Sequence, residues 1–334
     1  MQTHQAHYVR LHHPDQPGLE GWGECSPLPG LSPDYSPDFA QRLQQICYRF
    51  NALQLETVPD DRAIAFVDEL RQMPSVLFAW ETAWLDIARG GNRVLLPSAF
   101  SQGEKGIRIN GLIWMGEPAF MREQIEKKLA QGFRCLKLKI GGLDFQQELQ
   151  ILEEVRKVAG PDELELRLDA NGAFAPEDAL SKLEQLSKFQ VHSLEQPIKA
   201  GQLEAMRFLC SQTPIPIALD EELIGVTGKE AQWQLLRDVQ PQYIILKPTL
   251  VGGLRAAQDW ITIAQSYGIG WWLTSALESN IGLNAVAKFA ASYDNLLPQG
   301  LGTGQLYHNN FASPLEIRGE ELWYNPEMAW ELPA

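Results

Sequence analysis

The sequence predicts an α/β protein in which a TIM-type barrel follows a small α+β unit. Three observations carry that expectation. From about residue 104 onward, eight short apolar β runs recur at intervals of about 25 to 30 residues. Amphipathic helical stretches fill most of the gaps between them. The first hundred or so residues have a different texture, with two strands and then helices. Parallel βαβ repeats in this number suit a closed barrel better than an open doubly wound sheet. A dinucleotide fold is also disfavoured, because Gly300-Leu301-Gly302-Thr303-Gly304 lacks the G-x-G-x-x-G spacing and lies near the end of the chain.

Taken in order, Tyr8–Leu11 and Gly21–Cys25 read as short strands joined through the turn-forming His13-Pro14-Asp15-Gln16-Pro17-Gly18. A loop carrying Pro27, Pro29, Pro33 and Pro37 follows. Helices are expected over Phe39–Leu53, Asp60–Gln72 and Ser75–Ala88, the last stopped by Gly90-Gly91. The barrel strands are expected at Ile107–Ile113, Cys135–Ile140, Leu164–Leu168, Ser193–Glu195, Ile217–Leu219, Tyr243–Leu246, Gly270–Thr274 and, weakly, Leu297–Leu301. Helical periodicity marks Pro118–Gln131, Phe145–Val158, Pro176–Ser187 and Leu254–Gln265.

Composition narrows the function classes. The 334 residues are 45% hydrophobic and 21% charged, enough to build a large core and unlike a disordered chain. Against 28 basic residues stand 42 acidic ones, a net charge of −14, and no Lys/Arg-rich run occurs. Nucleic-acid backbones and anionic membranes both need clustered positive charge, so neither partner is expected. The four cysteines are scattered without a C-x-x-C pair and read as free thiols. The first thirteen residues lack the apolar core of a signal peptide. The apolar stretch Trp271–Ala291 is broken by Glu278, Asn280 and Asn284, which argues against a membrane span. A soluble cytoplasmic protein is the expectation. His4, His7, His12 and His13 read as a solvated terminus rather than a metal site.

The chemistry sits at the carboxyl ends of the expected strands, where barrel enzymes place their functional groups. Lys139, Asp169, Glu195, Asp220 and Lys247 follow one another at intervals of 30, 26, 25 and 27 residues. A single charge closing a strand is usually a solvated end. Five consecutive repeats obeying the rule point instead to one shared mouth. Three carboxylates converging there would repel one another unless a cation joined them. Hard oxygen donors, without nearby Cys or His, favour Mg²⁺, with Mn²⁺ as a substitute. In Leu136-Lys137-Leu138-Lys139-Ile140 the two lysines share one face of the strand, and on a barrel strand that face is the interior. Crowded ammonium groups give up a proton more easily, which suits a general base. The set fits abstraction of a proton α to a carboxylate, the solution used by enolase-type enzymes.

At this point the sequence resembles the enolase superfamily, in its muconate-lactonizing subgroup, from about Gly21 to Thr303. The matching segments are Gly21-Trp-Gly-Glu-Cys-Ser-Pro-Leu-Pro-Gly30, Lys137-Leu-Lys139, Asp169-Ala-Asn171, Glu195-Gln-Pro197, Asp220-Glu221, Lys247-Pro248 and Ser275-Ala-Leu-Glu-Ser279. The resemblance implies a (β/α)7β barrel over residues 99–305. It also implies an α+β capping domain made from residues 1–98 and a tail, 306–334, that returns to the cap. It implies Asp169, Glu195 and Asp220 as ligands of Mg²⁺, and Asn171 and Glu221 as the groups that orient them. Lys139 would be the acid/base that dehydrates 2-succinyl-6-hydroxy-2,4-cyclohexadiene-1-carboxylate in quinone biosynthesis. Lys247 would face it as a cation, and Lys137 would lower the pKa of Lys139 and touch the substrate carboxylate. Asn110, Ser275, Gly302 and Thr303 would contact the substrate.

Three other readings stand beside this one. Relatives that racemise N-succinyl amino acids or epimerise dipeptides use the same lysine pair. Dipeptide epimerases, however, usually carry Asp-x-Asp on the last barrel strand, where this chain has Gly-Leu-Gly-Thr-Gly. A Schiff-base aldolase built on Lys247 would not need three converging acids. Family members usually open with a further strand and a mobile lid loop, and this chain begins almost at the strand after them; an impaired barrel acting as a binding protein is the corresponding alternative.

Overall fold

The computed structural model describes residues 3–13, 15–53 and 66–332. Strands β1 (His7–His12) and β2 (Glu20–Cys25) pair antiparallel, Val9 opposite Gly23. Helices α1 (Phe39–Asn51) and α2 (Pro74–Ala88) cover them, and Val9, Phe39, Leu43 and Trp80 form the core between. The Gly-Trp-Gly of the sequence motif has a steric cause. A Cβ on Gly21 would lie 1.9 Å from Ala83 O, and one on Gly23 1.8 Å from Ala79 O, so the bare strand backbone rides directly on α2. Pro14 and the first six residues of the helix expected over Asp60–Gln72 lie outside the described residues.

The barrel begins with β4 (Gly111–Ile113), preceded by a short β3 (Ile107–Arg108). Then come α3 (Pro118–Ala130), β5 (Cys135–Lys139), α4 (Phe145–Val158), β6 (Glu165–Asp169), α5 (Pro176–Ser187) and β7 (Ser193–Glu195). These are followed by α6 (Leu203–Gln212), β8 (Ile217–Leu219), α7 (Lys229–Val239), β9 (Tyr243–Leu246), the single turn α8 (Pro248–Val251) and α9 (Gly253–Ser266). Strand β10 (Gly270–Leu273) and helix α10 (Asn280–Ala290) complete the repeats. The seven strands β4 to β10 are parallel and neighbour one another in chain order. That order is the one βαβ units generate when they wind in one direction.

Two expected strands differ in form. The run at 107–113 is divided between two sheets: Ile109 N donates to Glu320 O at 2.9 Å, whereas Asn110 N donates to Gln299 O at 3.0 Å. The chain therefore exchanges one hydrogen-bonding partner for another at a single peptide. The run at 297–301 is reduced to two bridges, Ile109 with Gln299 and Thr274 with Gly300. These bridges join β4 to β10 and close the ring.

After the barrel, β11 (Leu315–Arg318) and β12 (Glu321–Tyr324) form a hairpin whose second strand pairs with β3. The stretch before it meets the first strand, with Tyr8 edge-on to Phe311. His4 stacks on Tyr307 at 4.8 Å, and its backbone N donates to Asn309 Oδ1. The amino-terminal histidines are therefore not all solvated as expected: Tyr307 of the returning tail stacks on His4, and His7 sets its ring against Phe39 of α1, while His12 is exposed. All four cysteines are free. Among the described residues, no helix is long and apolar enough to cross a membrane.

Candidate active site

The site is laid out by strand register. In the parallel ladder Lys139 stands beside Asp169, and Asp169 beside Glu195, so one row across β5, β6 and β7 carries an amine and two carboxylates. Leu136 and Leu138 point the other way into the core shared with the helices, which forces Lys137 and Lys139 inward as their spacing predicts. Asp220 and Lys247 each follow their strand by one residue, at the same end of the barrel. Strand β9 is four places from β5 in the sheet order, so Lys247 enters from the opposite wall.

Lys137 Nζ lies 3.0 Å from Asp169 Oδ2 and 2.5 Å from Glu195 Oε2, and Lys139 Nζ lies 3.4 Å from Asp169 Oδ2. Lys247 pairs with Asp220. Lys139 also donates to Asn171 Oδ1 at 2.6 Å, and Asn171 Nδ2 donates to Glu221 Oε1 at 2.9 Å. Asn171 takes a left-handed φ of 43°, a conformation Asn tolerates better than most side chains, and this aims its amide between the two.

The charge state follows from burial and pairing. Burial alone would push the Asp169 carboxyl up, but Lys137, Lys139 and Lys247 overcome it and bring it down to about 2. Glu195 is pushed well up, first by burial and then by Asp169 beside it. Burial works against the Lys137 cation, yet Asp169 and Glu195 outweigh it and raise the pKa. Lys247 behaves likewise, with Asp220 and Glu195 as the opposing charges. Crowding therefore does not strip Lys137 of its proton, because the carboxylates around it outweigh the repulsion from Lys247.

The same residues can accommodate a cation. Among the described residues, no three His, Cys, Asp or Glu side chains stand together as a ready cage. The oxygens of Asp169, Glu195 and Asp220 are instead engaged by lysines. Glu195 Oε1 nevertheless remains buried without a hydrogen-bond partner among the described residues, beside two other carboxylates. A buried carboxyl oxygen left bare is costly, and a divalent ion held by all-oxygen donors would relieve both that cost and the crowding of the three acids. The donor set fits such an ion.

One cavity gathers most of the expected residues. Lys137, Lys139, Asp169, Asn171, Glu221 and Lys247 line it, and so do Asn110, Ser275, Gly302 and Thr303. Glu195 and Asp220 stand just behind, in contact with the lysines. Sequence reasoning missed several participants. The cap sends Leu28 and Leu31 into the cavity, and Trp114 faces the Lys139 ammonium at 6.0 Å. Gln196 is fully buried, and its Oε1 accepts the amides of Asp220 and Glu222 at 3.2 Å each. Glu24 accepts Ser279 N and Gly282 N, both at 2.8 Å, tying the cap to the start of α10. The signal for Glu24 and Gln196 lay in motifs already singled out: Gly21–Gly30, where no residue was assigned a role, and Glu195-Gln-Pro197, where only Glu195 was.

A parallel barrel with two lysine strands facing each other across three carboxylates defines a class of enzyme that handles acidic C–H bonds. Similarity to known proteins identifies the group. The chain belongs to the enolase superfamily: residues 120–326 match the family described as "Enolase C-terminal domain-like". It is 46% identical to the o-succinylbenzoate synthase of Desulfotalea psychrophila, over 93% of this chain and 90% of that protein. It is 27% identical to the hydrophobic dipeptide epimerase of Enterococcus faecalis, over 84% and 77%. The crystal structure of MenC from Desulfotalea psychrophila superposes with a TM-score of 0.82 at 44% identity, covering 95% of this chain and 94% of that one. Muconate lactonizing enzyme from Pseudomonas putida shares the fold, with a TM-score of 0.80 at 22% identity over 98% and 92% of the two chains.

Proposed function

We propose that the protein is an o-succinylbenzoate synthase, a hydro-lyase that dehydrates 2-succinyl-6-hydroxy-2,4-cyclohexadiene-1-carboxylate to 2-succinylbenzoate and water in the cytoplasm, within menaquinone or phylloquinone biosynthesis. The observation that carries this reading is the placement of Lys139 and Lys247 on opposite walls of one cavity, with Asp169, Glu195 and Asp220 between them. The likeness to the Desulfotalea enzyme supports the choice of substrate.

Asp169, Glu195 and Asp220 would hold Mg²⁺, whose chemistry when bound is to polarise the substrate carboxylate and acidify the adjacent C–H. Lys139 Nζ takes the α-proton, and the electron pair of the broken C–H bond expels the hydroxyl as the new ring double bond forms. The same ammonium then returns its proton to the departing oxygen, so both events occur on one face of the ring. Asn171 fixes Lys139 for this, with its amide anchored by Glu221. Lys247 remains a cation opposite and stabilises the charge that develops on the carboxylate. Lys137 holds Asp169 and Glu195 in place. Asn110, Ser275, Gly302 and Thr303 bound the space for the succinyl arm, and Leu28 and Leu31 from the cap exclude water above it.

The test is a dehydration assay monitored by absorbance, with racemisation of N-succinyl amino acids and epimerisation of dipeptides measured in parallel. Dehydration as the fastest of the three supports the proposal; epimerisation with no dehydration overturns it.

A further inference from the structure

Glu278 lies beyond the expected catalytic set, fully buried between two loops that reach the cavity. Its two carboxylate oxygens are divided between those loops. Oε1 accepts the Thr249 hydroxyl at 2.6 Å, and Oε2 accepts the Ser275 hydroxyl at 2.6 Å. Ser275 Oγ in turn accepts Leu277 N at 3.0 Å, which holds Leu277 at a left-handed φ of 69° with its residue against the cavity. A branched side chain adopts that backbone only where its surroundings impose it. On the other side, Thr249 belongs to the turn that starts from Lys247, where Leu250 N and Val251 N both donate to Lys247 O, at 2.8 and 3.1 Å. One carboxyl group thus joins the Lys247 turn to the Ser275–Leu277 wall, and neither loop can shift without breaking one of two short, buried hydrogen bonds.

We propose that Glu278 is a positioning residue that sets Lys247 and the Ser275–Leu277 wall in a common register. It acts through Thr249 and Ser275, and it rests on the role given above to Lys247. The spacing Ser275-x-x-Glu278 is what lets one side chain serve both: Glu278 follows the wall it supports and reaches back under it to the preceding repeat.

Thr249 offers the cleanest test, because it is buried behind the cavity rather than part of its wall. Thr249→Val keeps the shape and removes only the hydroxyl, whereas Thr249→Ser keeps the hydroxyl and removes only a methyl. Thr249→Val is expected to lower kcat for dehydration by about ten- to a hundredfold, as misplacing a catalytic group does, with KM changed far less. Thr249→Ser is expected to stay within about threefold of the parent, and Glu278→Gln, which still bridges two hydroxyls, is expected to fall between the two. Wild-type kcat in Thr249→Val, or equal losses in Thr249→Val and Thr249→Ser, overturns the inference. Lys247→Ala is assayed beside them. Activity retained there overturns the role of Lys247 and this inference with it. Activity lost there while Thr249→Val remains wild-type overturns this inference alone.

Discussion

The ammonium of Lys288, on the last barrel helix, lies 3.2 Å from the centre of the Tyr324 ring on the tail hairpin. Phe100 stands 5.2 Å away on another side, and among the described residues Lys288 Nζ has no hydrogen-bond partner although the residue is fully buried. Burial brings its pKa down to about 7. The unfolded chain therefore takes up a proton between about pH 10.5 and 7 that the folded chain resists. Stability contributed at this position is full above that range and falls as the pH drops through it. Lys288→Met should raise stability at pH 7 by about 3 kcal/mol, the aromatic contact offsetting part of the full linkage value. Denaturant melts at pH 7 and pH 10.5 check this: the gain should shrink toward zero at the higher pH.

Glu81 gives the opposite sign. It projects from α2 of the cap to the first turn of α9, where Leu254 N donates to it at 2.6 Å and Arg255 N at 3.3 Å. Burial outweighs those donors and raises its carboxyl to about 7. The folded state thus holds this proton more tightly, so the contribution is full below about pH 4.5 and lost as the pH rises to 7. The difference in stability between Glu81→Gln and the parent should grow in favour of the variant across that window and level off above it, by about 2 to 3 kcal/mol. A difference independent of pH refutes the assignment.

At the site, Lys139→Ala should reduce dehydration by about 10² to 10⁴-fold, the usual cost of losing a general base. Circular dichroism should show an unchanged fold. A near-wild-type rate removes Lys139 from the mechanism.

Chelation should abolish activity, and added Mg²⁺ should restore it. Mg²⁺ should also raise Tm in the parent more than in Glu195→Gln, since binding to the folded state alone stabilises it. Full activity in excess chelator refutes the cation site at Asp169, Glu195 and Asp220.

Gly23→Ala should be among the most damaging single methyl additions to the cap. Its Cβ would fall 1.8 Å from Ala79 O, and backbone on both sides leaves nothing flexible to yield. Loss of soluble protein, or a Tm many degrees lower, is the expected result; a parent-like melt contradicts the packing of β2 on α2.

The barrel was legible because each repeat writes its signature locally: an apolar run, a charge at its end, then a helix. Lys137 and Lys139 were readable for the same reason, since alternation along one strand decides which way they face. What depends on pairing between distant segments was not legible. Nothing in Ile107–Ile113 shows that its first two residues pair with a hairpin more than two hundred residues later. The bridges at Gln299 and Gly300 are too short to imprint a period. Glu24 and Glu278 stand in recognisable motifs, but their roles exist only once Ser279, Gly282, Thr249 and Ser275 are brought round them. The lysine–carboxylate pairing was likewise hidden, because the sequence orders the charges around the barrel without saying which will touch.

The ring of strands closes on its thinnest member, and this has a consequence for how the molecule could change. The segment after Gln299 and Gly300 borders the cavity through Gly302 and Thr303, yet little of the barrel ladder depends on it. A Cβ on Gly302 would meet only Ile109 Cδ1 at 3.5 Å and Asn110 O at 3.7 Å, ordinary contacts that displace nothing. The wall that carries the catalytic groups is instead locked into a hydrogen-bonded row and buried ion pairs. Gly302 is thus an unwritten position within an otherwise fixed text: a side chain placed there could bring a new charge or shape to the substrate while the catalytic row stays as it is. Redesign for a different acid should begin at that residue.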